Sequence, residues 1–222
     1  MFSAIAPRYD LLNRLLSFGV DRRWRSSAVA EAVPARGGRH LDVATGTADV
    51  ALEIFRQKGP GAYVAGSDIS PGMIRIGRTK ASRAGLSDRM GFVLAPGESL
   101  PFRDGAFDSA SVAFGVRNLV DRQRGLREMC RVVRPGGRIV VLEFSRPRSS
   151  LFGAIYRIYF TKVLPRLGGL LSRRAAYTYL PESVAAFPEP ESFAEMMREA
   201  GCTAVAFRPL TFGIVTLYVG TR

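Results

Sequence analysis

A mostly parallel α/β sheet with helices on both faces is predicted by three features of this 222-residue chain. The first is an alternation of short apolar runs with amphipathic stretches from Arg39 to Phe144, the rhythm of strand-helix crossovers. The second is a small-residue turn, Ala44-Thr-Gly-Thr-Ala48, which follows the apolar run at 40–44 and opens into a helical pattern at Val50, Ala51, Ile54 and Phe55. The third is Asp68, which ends the next apolar run 22 positions after Gly46. In doubly wound sheets such a turn lets a backbone approach a ligand at a helix N-terminus, and a carboxylate at that distance reaches a ribose.

Taken in order, residues 1–33 carry helical spacing at Tyr9, Leu12, Leu15 and Leu16, then at Trp24, Ala28 and Val29. This segment reads either as a cap packed on the sheet or as a lid over a site. A strand at 63–68 leads to Ser70-Pro71, an N-cap followed by a proline that fits a first helical turn, and to a helix over 71–84. A strand at 90–94, a loop rich in Pro and Gly, a strand at 107–114 and a helix at 122–133 follow. The turn Arg134-Pro-Gly-Gly137 precedes a very apolar strand at 139–144. Between 147 and 188 the rhythm breaks into apolar, Arg-punctuated stretches, read as an insert of two helices. A helix at 190–200 and strands at 204–208 and 213–220 close the chain as an antiparallel edge hairpin. The organisation expected is one domain over 1–222.

Hydrophobic content of 47% and charged content of 23% suit a globular protein with a substantial core. The formal net charge of +13, almost all of it from Arg, fits a solvated surface, an anionic membrane, nucleic acid or an acidic substrate. Composition does not choose among them. Cys130 and Cys202 are distant and lack a CxxC partner, and the single histidine, His40, sits in a strand-like run. Zinc and a Ser-His-Asp triad are therefore not expected, and a reducing cytoplasm is the simplest setting. No stretch reaches the roughly 18 uninterrupted apolar residues of a spanning helix.

The turn has glycine only at position 46, with Ala44 and Ala48 where a dinucleotide fingerprint wants glycine. A bound pyrophosphate needs close backbone approach at several points, so a ligand with adenosine but no phosphates fits better. S-adenosylmethionine is such a ligand. Asp42 would favour its cationic end directly or through water, Asp49 complements the helix dipole, and Asp68 either accepts the ribose hydroxyls or caps the next helix.

Three longer segments extend the pattern: Tyr9-Asp-Leu-Leu-Asn-Arg-Leu-Leu-Ser-Phe-Gly-Val-Asp-Arg-Arg-Trp24, Phe114-Gly-Val-Arg-Asn118, and Arg131-Val-Val-Arg-Pro-Gly-Gly-Arg-Ile-Val-Val-Leu-Glu-Phe-Ser145. With Ala176-Tyr-Thr-Tyr-Leu-Pro-Glu-Ser-Val-Ala-Ala-Phe-Pro188 they resemble, over nearly the whole chain, the family that C-methylates demethylmenaquinone and the polyprenyl benzoquinol precursor of ubiquinone. The resemblance implies a Rossmann-like class I methyltransferase fold with a seven-stranded sheet, a helical lid over 1–33, an insert over 147–188 and S-adenosylmethionine as methyl donor. Thr47 and Asp68 match the family's cofactor contacts. The adenine-facing pair is here Pro96-Gly97, where only packing or the Gly97 backbone can serve. Ala113 stands where members carry Ser, and Asp21 where they carry His.

A ring carbon accepts a methyl group when the ring is electron-rich, as in a deprotonated hydroquinone. Arg117 and Asn118, just beyond the fourth strand at the carboxyl edge of the sheet, are suitably placed for that task. Arg117 would stabilise a phenolate electrostatically, its pKa being too high for a base, and Asn118 would orient it. Tyr9, Asp10, Asn13 and Tyr177 would complete the quinol pocket, or else Tyr9 and Tyr177 are core aromatics and Asp10 a helix cap. In the insert, aromatic residues at 152, 156, 159 and 160 beside several cations would admit a polyprenyl tail and rest on anionic lipid, or else pack as two helices with snorkelling arginines. A polyprenylated quinol and an anionic membrane are thus the expected partners. Nucleic acid is not, for want of a clustered basic run or stacking motif, and a homodimer stays open.

Overall fold

The computed structural model describes residues 14, 17, 19–32, 37–59, 61–147 and 175–222, with backbone alone over 175–179. In chain order these form α1 (Asp21–Ala32), β1 (Gly38–Val43), α2 (Asp49–Lys58), β2 (Ala62–Asp68), α3 (Pro71–Arg83), β3 (Met90–Leu94) and β4 (Phe107–Ala113). A 3-10 turn (Val116–Asn118) then leads to α4 (Arg122–Val132), β5 (Val133–Phe144), α5 (Ala175–Ala185), α6 (Pro190–Glu199), β6 (Thr203–Leu210) and β7 (Val215–Thr221). The strands make one sheet in the order β3-β2-β1-β4-β5-β7-β6, parallel except for β7, which runs antiparallel to both neighbours. The winding reverses between β1 and β4, which leaves a crevice at their carboxyl ends.

Alternation along β5 explains the two-sided core. Ile139 and Val141 pack with Leu126 and Met129 of α4 and Phe193 and Met197 of α6. Val140 and Leu142 face the other way, toward Trp24 and Val29 of α1 and Ile54 of α2. Both faces of this strand are dry, so it reads as a continuous apolar run rather than an alternating one. Burying each such side chain contributes on the order of 1.5–3 kcal/mol.

The expected boundaries hold within a few residues except in β5, which begins at Val133 rather than near 139. The Pro135-Gly-Gly137 turn lies inside the strand's range as an interruption. Pairing with β4 steps from Phe107↔Val133 to Ser109↔Arg138 across it, with Gly136 at φ 75°. Ser70 is the N-cap of α3, its hydroxyl accepting from the Met73 amide, and Pro71 opens the helix as expected. Over its described length the N-terminal segment is a packed cap. Trp24 sits against Phe114 and Phe144, and its indole nitrogen donates to Thr211 Oγ1 at 2.7 Å. Asp21 accepts from Ser17 and Arg25 at the start of that helix. The two-helix reading of the insert falls on residues outside those described, apart from α5.

Candidate active site

The crevice at the switch point holds a cavity of ≈ 400 Å³ lined by the ends of β1, β2, β3 and β4 and the loops that follow them. Its floor is the turn after β1. Ala44, Gly46 and Ala48 have φ of 52°, 55° and 69°, so three of five consecutive residues are left-handed. Only one of them is the glycine that adopts this region without strain. Hydrogen bonds hold the turn: Thr45 N to Ser67 O at 2.9 Å, Ala48 N to Thr45 O at 2.9 Å, the Thr45 hydroxyl to Asp42 Oδ2 at 2.7 Å, and Gly46 N to Asp68 Oδ2 at 2.8 Å. Nothing stands within 4 Å of where a Gly46 side chain would begin, so the bare backbone faces open space.

Asp68 is the polar centre of the rim. Besides Gly46, it accepts from Ser70 N at 2.8 Å, so it links the turn after β1 to the start of α3. Burial raises its pKa, and hydrogen bonds from the Ser70, Gly46 and Ile69 amides oppose that rise. The helix is capped by Ser70, which leaves Asp68 with unused lone pairs beside the cavity. Gly97 lines the opposite wall with Pro96 and Glu98, and Glu98 Oε1 accepts from Val120 N at 2.7 Å, joining the loops after β3 and β4. Asn118 is also in the wall, next to Phe114.

Three expected contacts are placed differently. Asp42 is fully buried beneath the turn, bonded to Thr45 and to the Ser111 hydroxyl at 3.0 Å, and is not among the residues lining the cavity. β1 ends with Asp42 pointing into the sheet, beneath the turn and away from the cavity. Thr47 is likewise buried. Its hydroxyl accepts from Lys80 Nζ at 3.0 Å, and Lys80 also pairs with Asp49 at 2.6 Å, so the side chain faces α3. Arg117 points inward as well. Its Nη1 donates to Glu143 Oε1 at 2.7 Å and to the Phe114 carbonyl at 2.5 Å, and the guanidinium lies 5.4 Å from the Phe144 ring. With Glu143 countering its charge, Arg117 is bonded to the carbonyl of Phe114 at the head of the Phe114–Asn118 segment. Tyr9, Asp10 and Asn13, and the ring of Tyr177, lie outside the described residues.

Sequence reasoning missed Glu143, Glu98 and Phe114. Phe114 has φ 58°, and its ring lies 4.7 Å from that of Phe144. Glu143 was inside the quoted Val-Val-Leu-Glu-Phe run, where a carboxylate in an otherwise apolar strand was the available signal. His40 pairs with Ser109 at the amino end of β1, the sheet edge away from the cavity.

Asp42 gives a pH dependence. Burial pushes its pKa from 3.8 to about 7, and the charge of Asp68 adds to this. The Thr45 and Ser111 hydroxyls and the charge of Arg25 work against it. Between pH ~4 and ~7 the folded protein therefore holds a proton that the unfolded chain has lost, so stability falls as pH rises through that window and then levels. Urea unfolding at pH 5 and pH 8 is expected to show a smaller loss for Asp42→Asn than for wild type. Equal losses would mean that the buried carboxyl does not titrate there.

A doubly wound sheet of this order, with a carboxylate-rimmed cleft at its switch point, defines the Rossmann-like fold of the class I methyltransferases. Solved structures share the fold: the [4+2]-cyclase SpnF has a TM-score of 0.74 at 18% identity, covering 100% of this chain and 94% of its own. A SAM-dependent methyltransferase from Thermotoga maritima has 0.68 at 19%, covering 99% and 97%. More particularly, the model of the ubiE/COQ5 methyltransferase family matches residues 1–222, and the chain belongs to that family. It is 55% identical to the ubiquinone/menaquinone biosynthesis C-methyltransferase UbiE of Geobacter sulfurreducens, over 100% of this chain and 87% of that one. It is 53% identical to the demethylmenaquinone methyltransferase of Thermus thermophilus, over 100% of both.

Proposed function

We propose that the chain transfers the methyl group of S-adenosylmethionine to a ring carbon of demethylmenaquinol, giving menaquinol. The observation that carries the acceptor is the full-length match to demethylmenaquinone methyltransferases of Thermus thermophilus and Deinococcus radiodurans, each 53% identical. The similarity to proteins named for both ubiquinone and menaquinone biosynthesis favours a second reading, with a polyprenyl benzoquinol as acceptor.

The residues present fit the donor. Asp68 has lone pairs left for a vicinal diol, the Gly46 backbone is bare, and Ile69 and Met73 offer apolar wall on one side with Leu119 on the other. Gly97 contributes backbone alone. When bound there, S-adenosylmethionine supplies a methyl group on a positively charged sulfur. Asp42, once ionised, favours that charge through the turn, and Thr47 acts by anchoring the turn to Lys80. Asn118 presents its carboxamide to the acceptor, and Arg117 keeps Asn118 and Phe114 in position from beneath. Tyr9 and Asp10 belong to the acceptor side in this reading. Loss of the ring proton follows formation of the carbon–carbon bond, and a desolvated cleft keeps the donor from water.

The prenylated acceptor resides in a bilayer, so the reading includes a cytoplasmic protein working peripherally at an anionic membrane surface, in keeping with a charge of +13. Among the described residues no helix is long and apolar enough to cross a membrane.

The test is transfer of labelled methyl from S-adenosylmethionine to demethylmenaquinol and, in parallel, to the benzoquinol. Wild type is expected to methylate the naphthoquinol. Asp68→Ala is expected to raise the KM for the donor by about 10-fold or more, in line with loss of charge-assisted hydrogen bonds worth roughly 1.5–3 kcal/mol. Methylation of neither quinol by wild type would overturn the assignment, and methylation of the benzoquinol alone would replace it with the second reading.

A further inference from the structure

We propose that Cys130 and Cys202 form a redox-active dithiol that closes to a disulfide by exchange with a low-molecular-weight disulfide. The two thiols are 72 residues apart in sequence, yet the fold places their sulfurs 3.3 Å apart. Cys130 lies near the end of α4, and Cys202 directly precedes β6. Both are buried, and both are free thiols.

The surroundings favour the pair over a chance contact. Gly220 of β7 lies opposite, and a side chain there would begin 3.0 Å from Cys202 Cβ and 3.2 Å from its sulfur, so glycine makes the space in which the thiol turns. Gly201, at φ 106°, brings the chain past α4. The Arg222 guanidinium donates to the Arg131 and Val133 carbonyls that follow Cys130, which sets a positive charge next to that sulfur. Together with the Cys202 hydrogen bond it lowers the Cys130 pKa, whereas that of Cys202 is raised. Cys130 is thereby the first of the two to attack, when local opening of the α4–β6 contact admits the small disulfide to the buried pair.

The exchange balances in two steps. Cys130 thiolate attacks one sulfur of the small disulfide, forming a mixed disulfide and releasing one small thiol. Cys202 then attacks the Cys130 sulfur, giving the internal disulfide and releasing the second thiol. Two protein thiols are oxidised and one small disulfide is reduced. A disulfide bond length of ~2.05 Å requires the sulfurs to close by little more than an ångström from their contact distance. The bond joins α4, whose first turn lines the cleft through Arg124, to the C-terminal strand pair.

The experiment exposes the folded full-length protein to excess oxidised glutathione, blocks remaining thiols with iodoacetamide under denaturing conditions, and maps peptides without reduction. The expected result is a Cys130–Cys202 linked peptide in most molecules, with an intact mass lower by two hydrogens and no retained glutathione. In Cys202→Ser, glutathione is expected to remain on Cys130. Recovery of both wild-type cysteines as alkylated thiols, or a lasting glutathione adduct on either one, would overturn the proposal.

Discussion

Replacing Glu143 with alanine is expected to destabilise the protein by about 3–5 kcal/mol, because it strands the Arg117 guanidinium without its counter-charge in a dry interior. The pair lies at the end of β5, with side-chain exposures of 7% and 0%. Glu143 also accepts from the amides of Arg117 and Phe144, so its loss unpairs backbone as well as side chain. A fall in Tm of roughly 10 °C follows for a chain of this size. The double replacement Arg117→Met, Glu143→Leu is expected to recover most of the stability, since exchanging a buried ion pair for apolar groups of similar volume is often neutral. Activity should not return with it. Without the bond from Arg117 to the Phe114 carbonyl, the hold on Phe114 at φ 58° beside Asn118 is weakened. Thermal melts and methyl-transfer rates on the two variants check this, and a single variant as stable as wild type would remove the pair from the account of the site.

Gly115→Ala is the second large effect. Gly115 has φ −114°, which alanine adopts freely, so backbone strain is not the issue. Space is: the added methyl would lie 2.5 Å from Ala44 Cβ and 3.1 Å from Val112 Cγ2. The loops after β1 and β4 meet here at the switch point, and both residues line the cleft. The clash costs on the order of 1–3 kcal/mol by overpacking, and relief by moving Ala44 displaces the turn that carries Gly46. Donor affinity, measured by calorimetry, is expected to fall by roughly 10-fold or more. Adding Ala44→Gly removes the nearest clashing atom at a residue already left-handed, where glycine is at ease. The double variant should therefore bind more tightly than Gly115→Ala alone. If the second change brings no recovery, the contact between the two loops is not what limits binding.

Much of the fold was legible from local pattern. The positions of β2, β3, β4, α3, α4 and α6 follow from apolar runs, a Ser-Pro start and helical spacing, because each of these signals acts within a few residues. β5 was less legible at its start. A Pro-Gly-Gly stretch is a turn signal wherever it occurs, and whether the ladder resumes before it depends on the register of β4. The lining of the cleft at Gly46 and Asp68 follows from backbone geometry and spacing along the chain, and Gly97 lines its other wall. Asn118 was reached through a family motif.

Side-chain direction was not readable. Asp42, Thr47 and Arg117 have residue types suited to a site and stand next to one, yet each turns into the protein to meet a partner from another element: Ser111, Lys80 and Glu143. Those partners lie 69, 33 and 26 residues away in sequence, and no local pattern encodes the pairings. The two cysteines make the same point, being unrelated in sequence and in contact in space. Local chemistry in the chain is enough to specify a doubly wound sheet with a ligand turn at its switch point, since periodicity, turns and the Gly46–Asp68 spacing follow from short-range rules, whereas the methyltransferase family is carried by the longer motifs. Which polar groups face the ligand and which brace the wall behind it depends on how long-range partners satisfy buried charges and hydrogen bonds, and that only the packed tertiary structure decides.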